Sequence, residues 1–100
     1  MQKNRTFKFR KTRVFERKYV AFTKRNRDLQ LRIDQKLIFL SRNPYDHILR
    51  THKVISKKFG EVRSSRITDD LRILWKFEKG VLTIIVLLDI GGHSGKTSVY

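Results

Sequence analysis

The sequence predicts an α+β fold in which two N-terminal helices pack on a small, mostly antiparallel sheet, with elements in the order β-α-α-β-β-β. Three observations carry that prediction. Apolar residues recur at helical spacing from Phe15 to Leu40, they alternate with polar ones from Leu71 to Glu78, and a nearly unbroken apolar run follows from Val81 to Ile90. A chain of 100 residues has room for one core, and no Pro/Gly/Ser linker or internal repeat divides it. Residues 1–100 are therefore read as a single domain.

The elements follow in order. Arg5 to Arg10 alternates cations with aromatic rings, as a short strand does. Thr12 is placed to cap a helix running to about Lys24, with Phe15, Tyr19 and Phe22 on one face. Asn26 is placed to cap a second, in which Leu29, Ile33, Leu37 and Leu40 recur at spacings of four, four and three. That helix stops at Asn43-Pro44, because proline disfavours helix in the residue before it. The short connection between the two helices favours an antiparallel pair. Tyr45 to Gly60 reads as loop with a short extended piece around Lys53 and Val54. Val62–Ile67 and Leu71–Glu78 read as strands joined by a turn at Thr68-Asp69-Asp70, the second strand setting Leu71, Ile73, Trp75 and Phe77 on one face. After a turn at Lys79-Gly80, Val81 to Ile90 is rich in β-branched residues, as expected of a strand covered on both faces.

Charge narrows the function. Lys and Arg number 24 against 9 Asp and Glu, a formal net charge of +15, and residues 1–27 hold eleven cations against the single acid Glu16. Such a field draws in polyanions and costs self-repulsion in the folded state, so a basic surface without a partner is the weaker reading. RNA or DNA fits best. An anionic membrane fits less well, since no helix sets a clean apolar face against a basic one, and an acidic protein would also be attracted. No cysteine is present, which removes disulfides and thiolate metal sites and suits a cytoplasmic location. No apolar segment follows the early cations as a signal peptide requires, and Val81–Ile90 is too short to span a bilayer.

Three places could carry chemistry. Gly91-Gly92-His93-Ser94-Gly95-Lys96-Thr97 ends like a phosphate-binding loop, but position 90 is Ile where the first glycine should stand, and too few residues follow for the helix that would hold the phosphate. His47, His52 and His93 lack the close spacing of metal ligands, and the cationic field opposes a dication, so neither metal nor cofactor is expected. The third place is the hairpin. A three-residue turn at Thr68–Asp70 sets Arg66 directly opposite Arg72 on one face, where like charges either spread into solvent or hold an anion. The next strand ends at Gly91-Gly92-His93, at the mouth of the same sheet. Two arginines to hold a phosphodiester and its developing charge, a histidine to move a proton, and Tyr100 to stack on a base would together suit RNA chemistry.

The combination of His52-Lys53-Val54, Gly60, Arg63-Ser64-Ser65-Arg66-Ile67-Thr68-Asp69-Asp70-Leu71-Arg72-Ile73-Leu74-Trp75, Leu88-Asp89-Ile90-Gly91-Gly92-His93 and Val99-Tyr100 resembles the RelE/ParE toxin superfamily, nearest its RelE, YafQ and YoeB types. The resemblance spans nearly the whole chain, including the break at Asn43-Pro44. It implies a metal-independent endoribonuclease, the toxin of a type II toxin–antitoxin pair, cutting mRNA in the ribosomal A site by attack of the substrate's own 2′-OH and so inhibiting translation. Its partners would be a cognate antitoxin, mRNA and the ribosome. Carried over by residue, Arg72 matches the arginine on the scissile phosphate and His93 the general acid. Tyr100 matches a C-terminal aromatic that stacks on the substrate, Arg66 a basic position, and His52 a histidine of the YafQ-like branch, with Lys53 its neighbour. RNA contacts are expected from Lys53 and Arg63 near the hairpin and from Lys8, Arg10, Lys11, Arg13, Arg17 and Lys18 in the early basic segment. Two features depart from the family pattern: the segment from His93 to Tyr100 is longer than in many members, and no glutamate base of the YoeB kind is identifiable. The competing readings are a ParE-like inhibitor of DNA gyrase, which needs no catalytic histidine, and a non-catalytic RNA- or ribosome-binding protein.

Overall fold

The computed structural model describes residues 6–93 and 98–100. The order is β1 (Lys8–Lys11), α1 (Arg13–Thr23), α2 (Arg27–Arg42), a 3-10 turn (His47–Leu49), β2 (His52–Ser56), β3 (Gly60–Arg66), β4 (Leu71–Glu78) and β5 (Val81–Gly92). The helices start where their caps predict. Thr12 is extended and its Oγ1 accepts the Phe15 N–H at 3.1 Å, while Asn26 Oδ1 accepts the Leu29 N–H at 3.0 Å. α2 ends at Asn43, which turns to an extended φ of −153° ahead of Pro44. Among the described residues no helix is long and apolar enough to cross a membrane.

The five strands form one sheet in the order β1-β5-β4-β3-β2, with β1 parallel to β5 and every other pair antiparallel. Alternation divides the sheet into two faces. On one, Ile67, Leu71, Ile73, Trp75, Ile85, Leu87 and Ile90 meet Phe15 of α1, Ile33 and Leu40 of α2, and Leu49. On the other, Val62, Leu74, Val86 and Leu88 form a smaller cluster covered by Val54, Phe59 and Val99. Among the described residues no helix lies on this second, open face; Ser98 bridges Gly92 in parallel there, and the Tyr100 hydroxyl reaches Ser64 on it.

The sheet differs from the sequence expectation in three ways. It has a fifth strand: His52–Ser56, expected as loop with a short extended piece, pairs along its full length with β3, from His52 opposite Ser64 to Ser56 opposite Gly60. Its alternation is hidden because Ile55, 75% exposed, lies beyond the reach of the helices. The first strand runs Lys8–Lys11, and the Arg5 at which it was expected to begin lies outside the described residues. The last strand continues to Gly92, with a bulge opposite Leu74 and Trp75, and its start at Val81–Thr83 is exposed rather than covered. The turn at Lys79-Gly80 stands as predicted, Gly80 supplying the φ of +75° that β-carbon-bearing residues resist.

Candidate nucleic-acid site on the open face

The site begins with the β3–β4 turn. Ile67 N–H donates to the Leu71 carbonyl at 2.9 Å, closing the hairpin, and Thr68 Oγ1 accepts the Leu71 N–H at 3.0 Å. Lys36 of α2 reaches under it to the Ile67 carbonyl at 2.7 Å. This three-residue turn fixes the register so that Arg66 pairs directly with Arg72. Both side chains stand on the open face, alternating with Ile67, Leu71 and Ile73 of the helix-side core.

The two like charges are separated by the turn itself. Arg66 Nη2 lies 2.5 Å from Asp69 Oδ1, on a carboxylate that is otherwise fully in water. Arg72 Nη1 donates to the carbonyls of Thr68, Asp69 and Leu71 at 3.0, 3.2 and 3.1 Å. One terminal nitrogen of Arg72 is thus anchored, which orients the guanidinium and leaves its other donors for an anion.

The end of β5 is fastened to the same turn. His93 N–H donates to the Asp70 carbonyl at 2.7 Å, with the Asp70 carboxylate 3.2 Å away. Its exposed imidazole meets the Tyr100 ring edge-on, centroids 5.4 Å apart. The Tyr100 hydroxyl in turn hydrogen-bonds Ser64 Oγ, which is fully buried. Ser64 is paired with His52 across β2, so His52 shares the face. His52 Nδ1 lies 2.9 Å from the Arg50 carbonyl. A carbonyl only accepts, so Nδ1–H donates to it, and Nε2 makes no hydrogen bond among the described residues.

Arg66, Arg72, His93, Tyr100 and His52 therefore lie on one face. The other candidates divide. Lys53 pairs with Arg63 and Arg63 with Trp75, which puts both cations on the helix side of the sheet; Arg63 donates to the Tyr45 hydroxyl at 3.1 Å. Lys8 and Arg10 project from the open side of β1, at the sheet edge opposite β2, where Arg10 pairs with Glu78 at 2.8 Å. Lys11, Arg13 and Arg17 are exposed at β1 and α1. Lys18 holds the buried Asp89 at 2.8 Å, so it neutralises a carboxylate of the fold. Sequence reasoning passed over Ser64, Asp69 and Asp70. Ser64 was recoverable, since it stands two residues before Arg66 on the same face of the same strand. The Gly95-Lys96-Thr97 run of the rejected phosphate loop lies outside the described residues. Among the described residues no three His, Asp or Glu side chains converge as metal ligands would.

No family model matches the chain, and no curated protein matches it in sequence. Solved structures match in fold. A YoeB/ParE toxin from Agrobacterium tumefaciens superposes with a TM-score of 0.71 at 15% identity, covering 87% of this chain and 99% of that one. The YoeB dimer from Staphylococcus aureus gives 0.66 at 16%, over 84% and 93%. YafQ in the DinJ–YafQ complex of E. coli gives 0.63 at 17%, over 87% and 93%. The chain thus has the α+β fold of these toxins. At this identity the likeness is one of fold.

Proposed function

We propose that this protein is the toxin of a toxin–antitoxin pair and acts as an endoribonuclease on ribosome-bound mRNA. The observation that supports this most is the placement of Arg66 opposite Arg72 on the sheet face away from the helices, beside His93 and within the same surface as Tyr100 and His52. In this reading the scissile phosphate sits between the arginines, whose fixed donors meet the charge that builds on its oxygens. Tyr100, held by Ser64, stacks against the nucleotide and keeps the backbone turned for in-line attack. His52, with Nε2 free, takes the proton of the 2′-OH, and His93 returns one to the departing 5′-oxygen. His52 thereby supplies the base that the sequence left open. An acidic antitoxin segment is the partner expected to neutralise so basic a chain, as the S. aureus YoeB–YefM and E. coli DinJ–YafQ complexes are toxin–antitoxin pairs of this fold.

The reaction tests the reading. Attack by the 2′-OH leaves a 5′-hydroxyl on one product and a cyclic or 3′-phosphate on the other. Ribosome-bound mRNA carrying one 2′-deoxy nucleotide at the cut site should resist cleavage there, while the all-ribo message yields 5′-hydroxyl ends. Products with 5′-phosphate ends would reject this chemistry. Inhibition of gyrase supercoiling without RNA cleavage would place the chain with the gyrase poisons instead.

A further inference from the structure

The Thr68–Asp70 turn has a second side. Between it, α2 and the 3-10 turn lies a pocket of about 400 Å³ walled by Lys36, His47, Arg50 and Arg66, and a second of about 400 Å³ continues past Thr68 and Asp69 to Arg32. Two acids line them, Asp69, bound to Arg66, and Asp70; Arg32 is paired at 3.2 Å with Asp28. Lys36 and Arg50 remain the cations of the groove with no carboxylate paired to them among the described residues. Arg66 belongs to both places, lining this groove and standing opposite Arg72 on the open face.

Arg50 supplies an independent sign. It closes the 3-10 turn in the left-handed conformation, φ 47° and ψ 40°, and it is the one residue other than glycine with a positive φ among the described residues. Glycine or asparagine fits that conformation with less strain, whereas a long side chain there is uncommon. Strained backbone of this kind collects where the side chain is used. The bend also aims the chain into β2, where the Arg50 carbonyl accepts a hydrogen bond from His52 Nδ1–H.

We infer that this groove is a phosphate subsite for the strand leaving the open face, with Arg50 and Lys36 as its binding residues and single-stranded RNA as its ligand. The inference rests on the ribonuclease reading, since Arg66 is what joins the two places: a backbone whose scissile phosphate lies between Arg66 and Arg72 runs past Arg66 into the groove. The subsite binds and does not react.

Arg50→Gly tests it, because this change relieves the backbone instead of breaking it. The probe is a fluorescein-labelled oligouridine of about 12 nucleotides, a length that ordinary single-strand sites span. Its affinity is read by anisotropy between about 50 and about 200 mM KCl. The melting temperature of the variant should hold or rise, while the slope of log affinity against log salt falls by about 0.7, one phosphate's share. Adding Lys36→Gln should take off a similar amount again. On ribosome-bound mRNA, Arg50→Gly should raise KM by a larger factor than it lowers kcat. An unchanged slope in Arg50→Gly overturns the inference. So does an equal loss of affinity for polyglutamate, which would give the groove to an acidic protein segment. If the wild-type protein cleaves no RNA, the ribonuclease reading fails alone, and the oligouridine slopes still decide whether the groove binds a nucleic-acid backbone.

Discussion

Arg66 and Arg72 face each other in a register that would repel in a bare sheet, and the surrounding turn shows how the pair is tolerated. One guanidinium is held by Asp69 and the other by the carbonyls of Thr68, Asp69 and Leu71, so the charges are separated while the face stays cationic. A phosphate entering between them competes with Asp69 only for Arg66. This much was legible in the sequence, because turn length alone decides whether residues 66 and 72 meet. The anchoring of Tyr100 was not: its partner Ser64 lies far back in the chain, and no spacing rule links the two. In the proposed reaction Ser64 is a positioning residue for Tyr100. Ser64→Ala and Tyr100→Phe should each lower cleavage by roughly 2- to 12-fold, the worth of about 0.5–1.5 kcal/mol for one hydrogen bond. The double variant should lose no more than either single one, since both remove the same bond. Additive losses in a cycle of cleavage rates would mean that Ser64 acts elsewhere.

Among the elements, the helices and the β3–β4 hairpin were the legible part, since their caps, periods and turn residues are local signals. β2 was hidden for a physical reason. It is an edge strand whose apolar Ile55 is turned to a region the helices do not cover while polar Ser56 is buried, so its sequence does not follow its burial. The left-handed Arg50 was equally illegible, as glycine is the residue that announces such a conformation. The helix pair is tied by a polar contact as well as by its core: the Tyr19 hydroxyl of α1 donates to Asp34 of α2 at 2.6 Å. Burial, and then the hydrogen bond to Asp34, raise the Tyr19 phenol above its ordinary value of 10.0. A raised pKa means that the folded chain keeps this proton longer than the unfolded one. The contribution is therefore whole below pH 10.0 and is lost as pH climbs from there through the folded value. Melting temperatures of wild type and Tyr19→Phe, followed from about pH 8 to about pH 11, should converge as the tie is lost. A gap that stays constant through that range would show that Tyr19 does not titrate with folding.

At the scale of the molecule, the charge of +15 is spread unevenly in function. Arg10 and Lys18 are bound to Glu78 and Asp89, so part of the early basic run serves the fold. Arg66 and Arg72 stand at one turn, to which the hairpin, the end of β5 and α2 are all fastened. Composition pointed to a polyanion, yet it could not say which cations would be left to meet it, because pairing with distant acids is a property of the folded chain. The central claim is that the open face, through Arg72 and His93, breaks a phosphodiester bond. Single-turnover cleavage of ribosome-bound mRNA by wild type and by Arg72→Ala/His93→Ala tests it most directly, with circular dichroism to verify that the variant is folded. Both side chains stand outside the core, so the variant should fold, and it should cleave at least about a hundredfold more slowly while still binding the ribosome. A folded double variant that cuts at the wild-type rate would contradict the account.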